Sequence, residues 1–171
     1  MFGFLVRWGI RSAEKKTGEP LDYLRELYAD SPGTFWQFTK VAKAAGYRNK
    51  LPAPAFHVAR IVAVRIQDCG PCVQTCVNLA KADGVDPAVL KAALARDFDA
   101  LPESLRDVAK FADAVTTNTG DPDALRDRLT SVFGKEGVAE LALALALCQT
   151  FPILKRALGH AKSCSVVKVE V

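Results

Sequence analysis

Three cysteines fall within eight positions of the stretch RIQDCGPCVQTCVN, residues 65–78: Cys69, Cys72 and Cys76. Cys69 and Cys72 form a C-x2-C pair. Two intervening residues let the sulfurs meet and close a disulfide. If Asp68 or Gly70 caps a helix, both sulfurs lie in or beside its first turn. There the unpaired N–H groups and the positive end of the dipole favour a thiolate. That combination supports two-electron chemistry: one thiolate attacks an oxidant or a disulfide and its neighbour resolves the intermediate. Pro71 restricts the loop and fits a first helical position.

Cys76 lies four residues after Cys72, on the same helical face. Their Cβ atoms are then about 6 Å apart, too far for an unstrained disulfide. Cys76 is read either as a small buried core residue or as a hydrogen-bonding or redox modifier beneath the pair. His57 is one of two histidines in the chain. It sits on the segment leading into the C-x2-C turn, where a neutral imidazole could take a proton from Cys72 or Cys76. The alternative to redox chemistry is a metal module. Cys69, Cys72, Cys76 and His57 could supply four ligands, although the spacing is not a common zinc pattern and no second C-x2-C follows. Cys148 reads as a core residue and Cys164 as a tail thiol. His160 sits at a helix end, where a cation suits the dipole, and carries no expected function.

The elements that must position these residues read as helices. Ser31-Pro32, Asp86-Pro87 and Asp121-Pro122 each pair a capping side chain with a proline that needs no donor at the first helical position. Residues 20–30 place Leu21, Leu24, Leu27 and Tyr28 on one face. Residues 32–47 do so with Phe35, Phe38, Val41 and Ala42, ending near Gly46. Residues 55–68 read as a helix carrying Val58, Ile61, Val62 and Arg65, with a buried strand as the alternative. Four further helical segments lead to a long apolar helix over 136–158, which Pro152 is expected to kink. The tail SVVKVEV alternates like a short strand or arm.

This is an all-α domain of 171 residues, with residues 1–50 as an N-terminal helical subregion. The net charge of +4 is mild and the basic residues are scattered, so nucleic acid is not an expected partner. No continuous apolar run reaches the roughly 18 residues that span a bilayer, and MFGFLVRWGIR does not read as a signal peptide. A reducing cytoplasm and no membrane partner are therefore expected, and there clustered cysteines serve catalysis or metals more often than structure. The helix around LALALALC, 141–148, is apolar nearly all round. It must be buried on most sides, which in a chain this small points to a subunit interface. Phe4, Leu5 and Trp8 form a sticky stripe expected to dock on the protein's own body or on a sister subunit.

With these residues in view, the chain resembles the carboxymuconolactone decarboxylase-like family, and within it the AhpD-like alkylhydroperoxidase branch. The resemblance runs from about residue 53 to 160. It rests on HVARIVAVRIQDCGPCVQTCVNLAKADGVDPAVLKAAL, then LPESLRDVAKFADAVTTNTGD, then VAELALALALCQTFPILKRALG. It implies an all-helical bundle that assembles as a homo-oligomer (trimer, hexamer or dimer). It also implies peroxidase or disulfide reductase chemistry at a C-x2-C pair with no organic cofactor. A small hydroperoxide or disulfide would be the substrate, and a protein or small-molecule thiol the reductant. Active members of that branch carry a glutamate twelve residues before the first cysteine and a histidine four residues after the second. The cysteines match at Cys69 and Cys72. The glutamate position holds His57 and the histidine position holds Cys76, so the proton relay is rearranged or degraded. On the rearranged reading His57 is the base, Cys72 the coupled thiolate, Cys69 the exchange partner and Cys76 the modifier. Decarboxylases proper use no C-x2-C. The CGPC sequence also occurs in thioredoxins, but these need further strands, and the later sequence offers Ala- and Leu-rich helices instead.

Overall fold

The computed structural model describes residues 2–160, apart from the side chain of Phe2. Cys164 and the SVVKVEV tail therefore lie outside the described residues. All regular structure among the described residues is helical. The order is α1 (Phe2–Thr17), α2 (Asp22–Asp30), α3 (Pro32–Ala45), α4 (Ala53–Arg65), α5 (Gly70–Ala82), α6 (Pro87–Ala95), a 3-10 turn (Phe98–Ala100), α7 (Glu103–Thr117), α8 (Asp123–Cys148) and α9 (Thr150–Ala157).

Local chemistry sets most of these boundaries. Ser31 accepts from the Thr34 N–H at 3.4 Å and Asp86 from the Ala88 N–H at 2.7 Å, each with proline in the first turn. At the third expected cap the helix starts one residue later. Pro122 is the cap position and Asp121 accepts from the Asp123 N–H at 2.9 Å. The stretch that could have been a strand is helix α4. Ten consecutive residues of it, Ala55 to Val64, are buried. Helix α4 packs on α5, α6, α7 and α8, so every face of it meets protein. An all-round apolar sequence is what such a position requires.

The long helix expected over 136–158 is divided. Helix α8 runs from Asp123, with Gly134 at φ 71° and ψ 170° as a kink inside it. It ends at Cys148, and Pro152 falls in the first turn of α9. Proline's ring clashes with the carbonyl four residues earlier, which is that of Cys148. The helix therefore breaks there rather than bending at Pro152. Side chains cap carbonyls at the break: Thr150 Oγ1 donates to Leu147 O at 2.7 Å and Gln149 Nε2 to Leu145 O at 3.1 Å. Residues 123–157 contain an 18-residue window of mean hydropathy 1.7, long and apolar enough by length and composition to cross a membrane. Window averaging tolerates the single polar residues that interrupt a continuous run. Helix α8 packs on α3, α4 and α7, and Leu141, Ala144, Leu145 and Cys148 are buried while Leu143 and Ile153 are exposed.

Two apolar clusters result. The larger is built from α4 to α8 around Val58, Ile61, Val62, Leu90 and Leu141. The smaller joins α1, α2 and α3 through Val6, Ile10, Leu27, Phe35 and Phe38, with Phe151 and Leu154 of α9 packed against it. Phe4, Leu5 and Trp8 are exposed, so this stripe is not buried against the body of the chain, although Leu5 reaches the rim of a cavity described below.

Candidate functional site

The turn after α4 carries the C-x2-C pair. Asp68 adopts φ 52°, in the left-handed region that aspartate tolerates better than most residues. This redirects the chain into α5. The cap residue is Cys69 itself, not Asp68 or Gly70. Its carbonyl accepts from the N–H groups of Cys72 and Val73, each at 3.0 Å. Cys72 thus sits in the first turn, and Cys69 and Cys72 are joined by a disulfide with Cα atoms 5.3 Å apart. Cys76, one turn on, is a free and buried thiol, as is Cys148. Burial pushes both thiols up, Cys148 to about 12, against the opposing pull of Arg60. Cys148 is the core residue that its helix suggests.

His57 faces α5 but does not bond a sulfur. Its Nε2 lies 2.8 Å from Asp83 Oδ2, at the far end of α5. An ionised carboxylate only accepts, so Nε2 carries the proton and donates. Burial holds the imidazole below its ordinary value, with the Asp83 bond opposing. The His57 bond in turn holds the Asp83 carboxyl below its usual range. A neutral ring with a proton on Nε2 leaves Nδ1 as a bare acceptor, and among the described residues Nδ1 is buried without a hydrogen-bond partner. Arg48 adds a second contact to Asp83 Oδ2 at 3.3 Å. The chain Arg48, Asp83, His57 fixes the tautomer much as a carboxylate orients a catalytic histidine.

These groups open onto one cavity of about 780 Å³, at the seam of the two apolar clusters. Its wall includes His57, Arg60, Cys72, Cys76, Asp83 and Cys148. Three of the four expected site residues, His57, Cys72 and Cys76, therefore line a common space, and the disulfide ties the fourth, Cys69, to Cys72. Sequence reading missed Arg60 and Asp83. Arg60 lies one turn after His57, and that i, i+3 spacing was the available signal. Asp83 lies 26 positions from His57, a pairing that only the packing of α4 on α5 creates. His160, assigned no function, bonds Glu26 Oε2 at 2.8 Å, away from the site. Among the described residues no three His, Cys, Asp or Glu side chains are grouped so as to hold a metal ion. In the disulfide form the sulfurs of Cys69 and Cys72 are bonded to each other.

An all-helical bundle with a cysteine pair at a buried helix start defines a class. The family model of the carboxymuconolactone decarboxylase family matches residues 32–114, from the start of α3 into α7. Over that segment the chain is similar to this family, and the match takes in α4, the C-x2-C turn and α5. No curated protein and no solved structure matches the chain.

Proposed function

We propose that the protein is a thiol–disulfide oxidoreductase of the AhpD-like kind, with Cys69 and Cys72 as its working couple and a hydroperoxide as its oxidant. The observation that carries this reading is the Cys69–Cys72 disulfide at the start of α5, with Cys72 on the wall of the cavity that His57 also lines. In the reduced protein the Cys72 thiol passes its proton through waters in the cavity to Nδ1 of His57, which lies toward the opposite end of α5. The Cys72 thiolate attacks the peroxide, the O–O bond breaks, and the departing alkoxide takes that proton to leave as an alcohol. Cys72 is then a sulfenic acid. The Cys69 thiol attacks its sulfur, the S–S bond forms, and the hydroxide leaves with the Cys69 proton as water. A protein or small-molecule thiol restores the dithiol by exchange. Exposed Leu143 and Ile153, with Phe4, Leu5 and Trp8, support a homo-oligomer. A cytoplasmic home suits a couple that must be reduced each cycle.

The test is the rate of thiol loss in the pre-reduced protein on adding cumene hydroperoxide. Wild type loses two thiols per chain. Cys72→Ser loses that phase, and His57→Gln slows it by roughly a hundredfold, the lower end of general-base effects. Wild-type rates in Cys72→Ser would place any oxidation elsewhere and leave a silent scaffold.

A further inference from the structure

Arg60 occupies the middle of α4, inside its run of buried residues, and is 8% exposed. A guanidinium keeps its charge at any ordinary pH. Buried charges are normally paired, because taking an unpaired one out of water is costly. Among the described residues Arg60 makes no ion pair, and its Nε is buried without a hydrogen-bond partner. The face of Phe56, 4.9 Å from the guanidinium carbon, is its visible support. A cation–π contact offsets only part of such a charge.

Among the described residues the surroundings supply no internal anion. Cys76 and Cys148 are buried thiols held in the neutral form. Among the described residues Asp83 is the one carboxylate on the cavity wall, and it is held by His57 and Arg48. Apart from His57 and the Tyr23 phenol, which burial keeps neutral, the remaining ionisable groups there are cations: Lys16, Arg48 and Lys155. Four cations thus face one committed carboxylate. The rest of the wall is chiefly apolar, with Phe38, Phe56, Val64, Leu79 and Phe151 among its members. The volume of about 780 Å³ suits an organic molecule rather than a bare ion.

We infer that this cavity binds an amphipathic carboxylic acid, its carboxylate taken by Arg60 and its hydrocarbon body lying among the aromatic and aliphatic side chains. The guanidinium fork offers two parallel N–H donors to a carboxylate, which matches its geometry. The inference deepens the redox reading, on which it rests for one point: the oxidant would be a hydroperoxide derived from such an acid. Binding itself needs no turnover.

The experiment is equilibrium binding to the oxidised protein, disulfide intact, with decanoate as probe and 1-decanol as its uncharged counterpart, by calorimetry. Decanoate should bind at one site, at least tenfold more tightly than decanol, roughly what one charge-assisted contact supplies. In Arg60→Gln decanoate should weaken by roughly ten- to a hundredfold and decanol should be unchanged. If Arg60→Gln does not fold, the decanoate-to-decanol ratio in wild type and its fall with added salt decide the question. Equal binding of the two probes, no binding of decanoate, or full retention of the preference in Arg60→Gln would overturn the inference. Decanoate binding in a protein whose dithiol ignores peroxide would leave this site standing and sink only the redox reading.

Discussion

Glu140 is a buried carboxylate on α8 whose partners are all backbone. Its oxygens accept from the N–H groups of Asn49 at 3.0 Å, Lys50 at 2.9 Å and Leu51 at 2.9 Å. These residues form the connection between α3 and α4, directly after Arg48 and directly before the helix that carries His57 and Arg60. The clamp therefore fixes the entry of the site helix. Burial raises the Glu140 carboxyl, but the three backbone donors and Lys50 outweigh this and hold it below its ordinary value. Glu140→Ala removes all three acceptors. The Leu51 N–H is buried, and leaving it unpaired costs about 2 kcal/mol. Asn49 and Lys50 are exposed, so their N–H groups return to water. Each loses about 1 kcal/mol of charge-assisted bonding. The sum is about 4 kcal/mol, or a fall in Tm of about 8–16 °C for a chain of this size. Glu140→Gln keeps one acceptor oxygen and should cost about half, ~2 kcal/mol. Urea unfolding measures both, and hydrogen exchange at residues 49–51 should quicken selectively. A change under ~0.5 kcal/mol in Glu140→Ala, within the range of ordinary surface substitutions, would refute the clamp.

Other consequences are as direct. Gly18 has φ 71°, and a Cβ there would run into the Asn78 side chain, whose Nδ2 donates to Thr17 O at 2.7 Å and ties α1 to α5. Gly18→Ala should destabilise by about 1–3 kcal/mol in urea melts; an unchanged midpoint would mean that α1 is not held there. His57 has a depressed folded value, so the unfolded chain takes up the proton first as pH falls. Stability is then full above the ordinary histidine value of about 6.5 and is lost as pH drops below it toward the folded value. Urea midpoints at pH 7.5 and 5.5 should differ in wild type and converge in His57→Gln, and an equal drop in both would assign the effect elsewhere. Cys76→Ser should leave the peroxide-driven loss of two thiols intact while lowering stability by about 1–3 kcal/mol for a buried hydroxyl. Loss of the redox phase there would make Cys76 part of the couple.

Much of this was legible in the sequence because it is local. The caps followed by proline, the apolar faces of α2 and α3 and the C-x2-C helix start all follow from residues a few positions apart. Helix α4 was ambiguous because a segment buried all round shows no periodicity to tell helix from strand, and packing on four neighbours settles it. The partners of the site were not legible. Asp83 reaches His57 only because α5 lies along α4, and Glu140 reaches residues 49–51 across about 90 positions. The break at Cys148 was foreshadowed by Pro152, but its place follows from which carbonyl the ring strikes. Arg60 stands one turn after His57 in the sequence, but only its burial sets it apart from a surface arginine at the same spacing.

The central claim is that Cys69 and Cys72 cycle between dithiol and disulfide, and an intact mass tests it most directly. The reduced protein should be weighed before and after one equivalent of peroxide, with peptide mapping. A loss of about 2 Da confined to the peptide spanning Cys69 and Cys72 is the expected result. A gain of oxygen atoms, no change, or a loss mapped to other cysteines would contradict it.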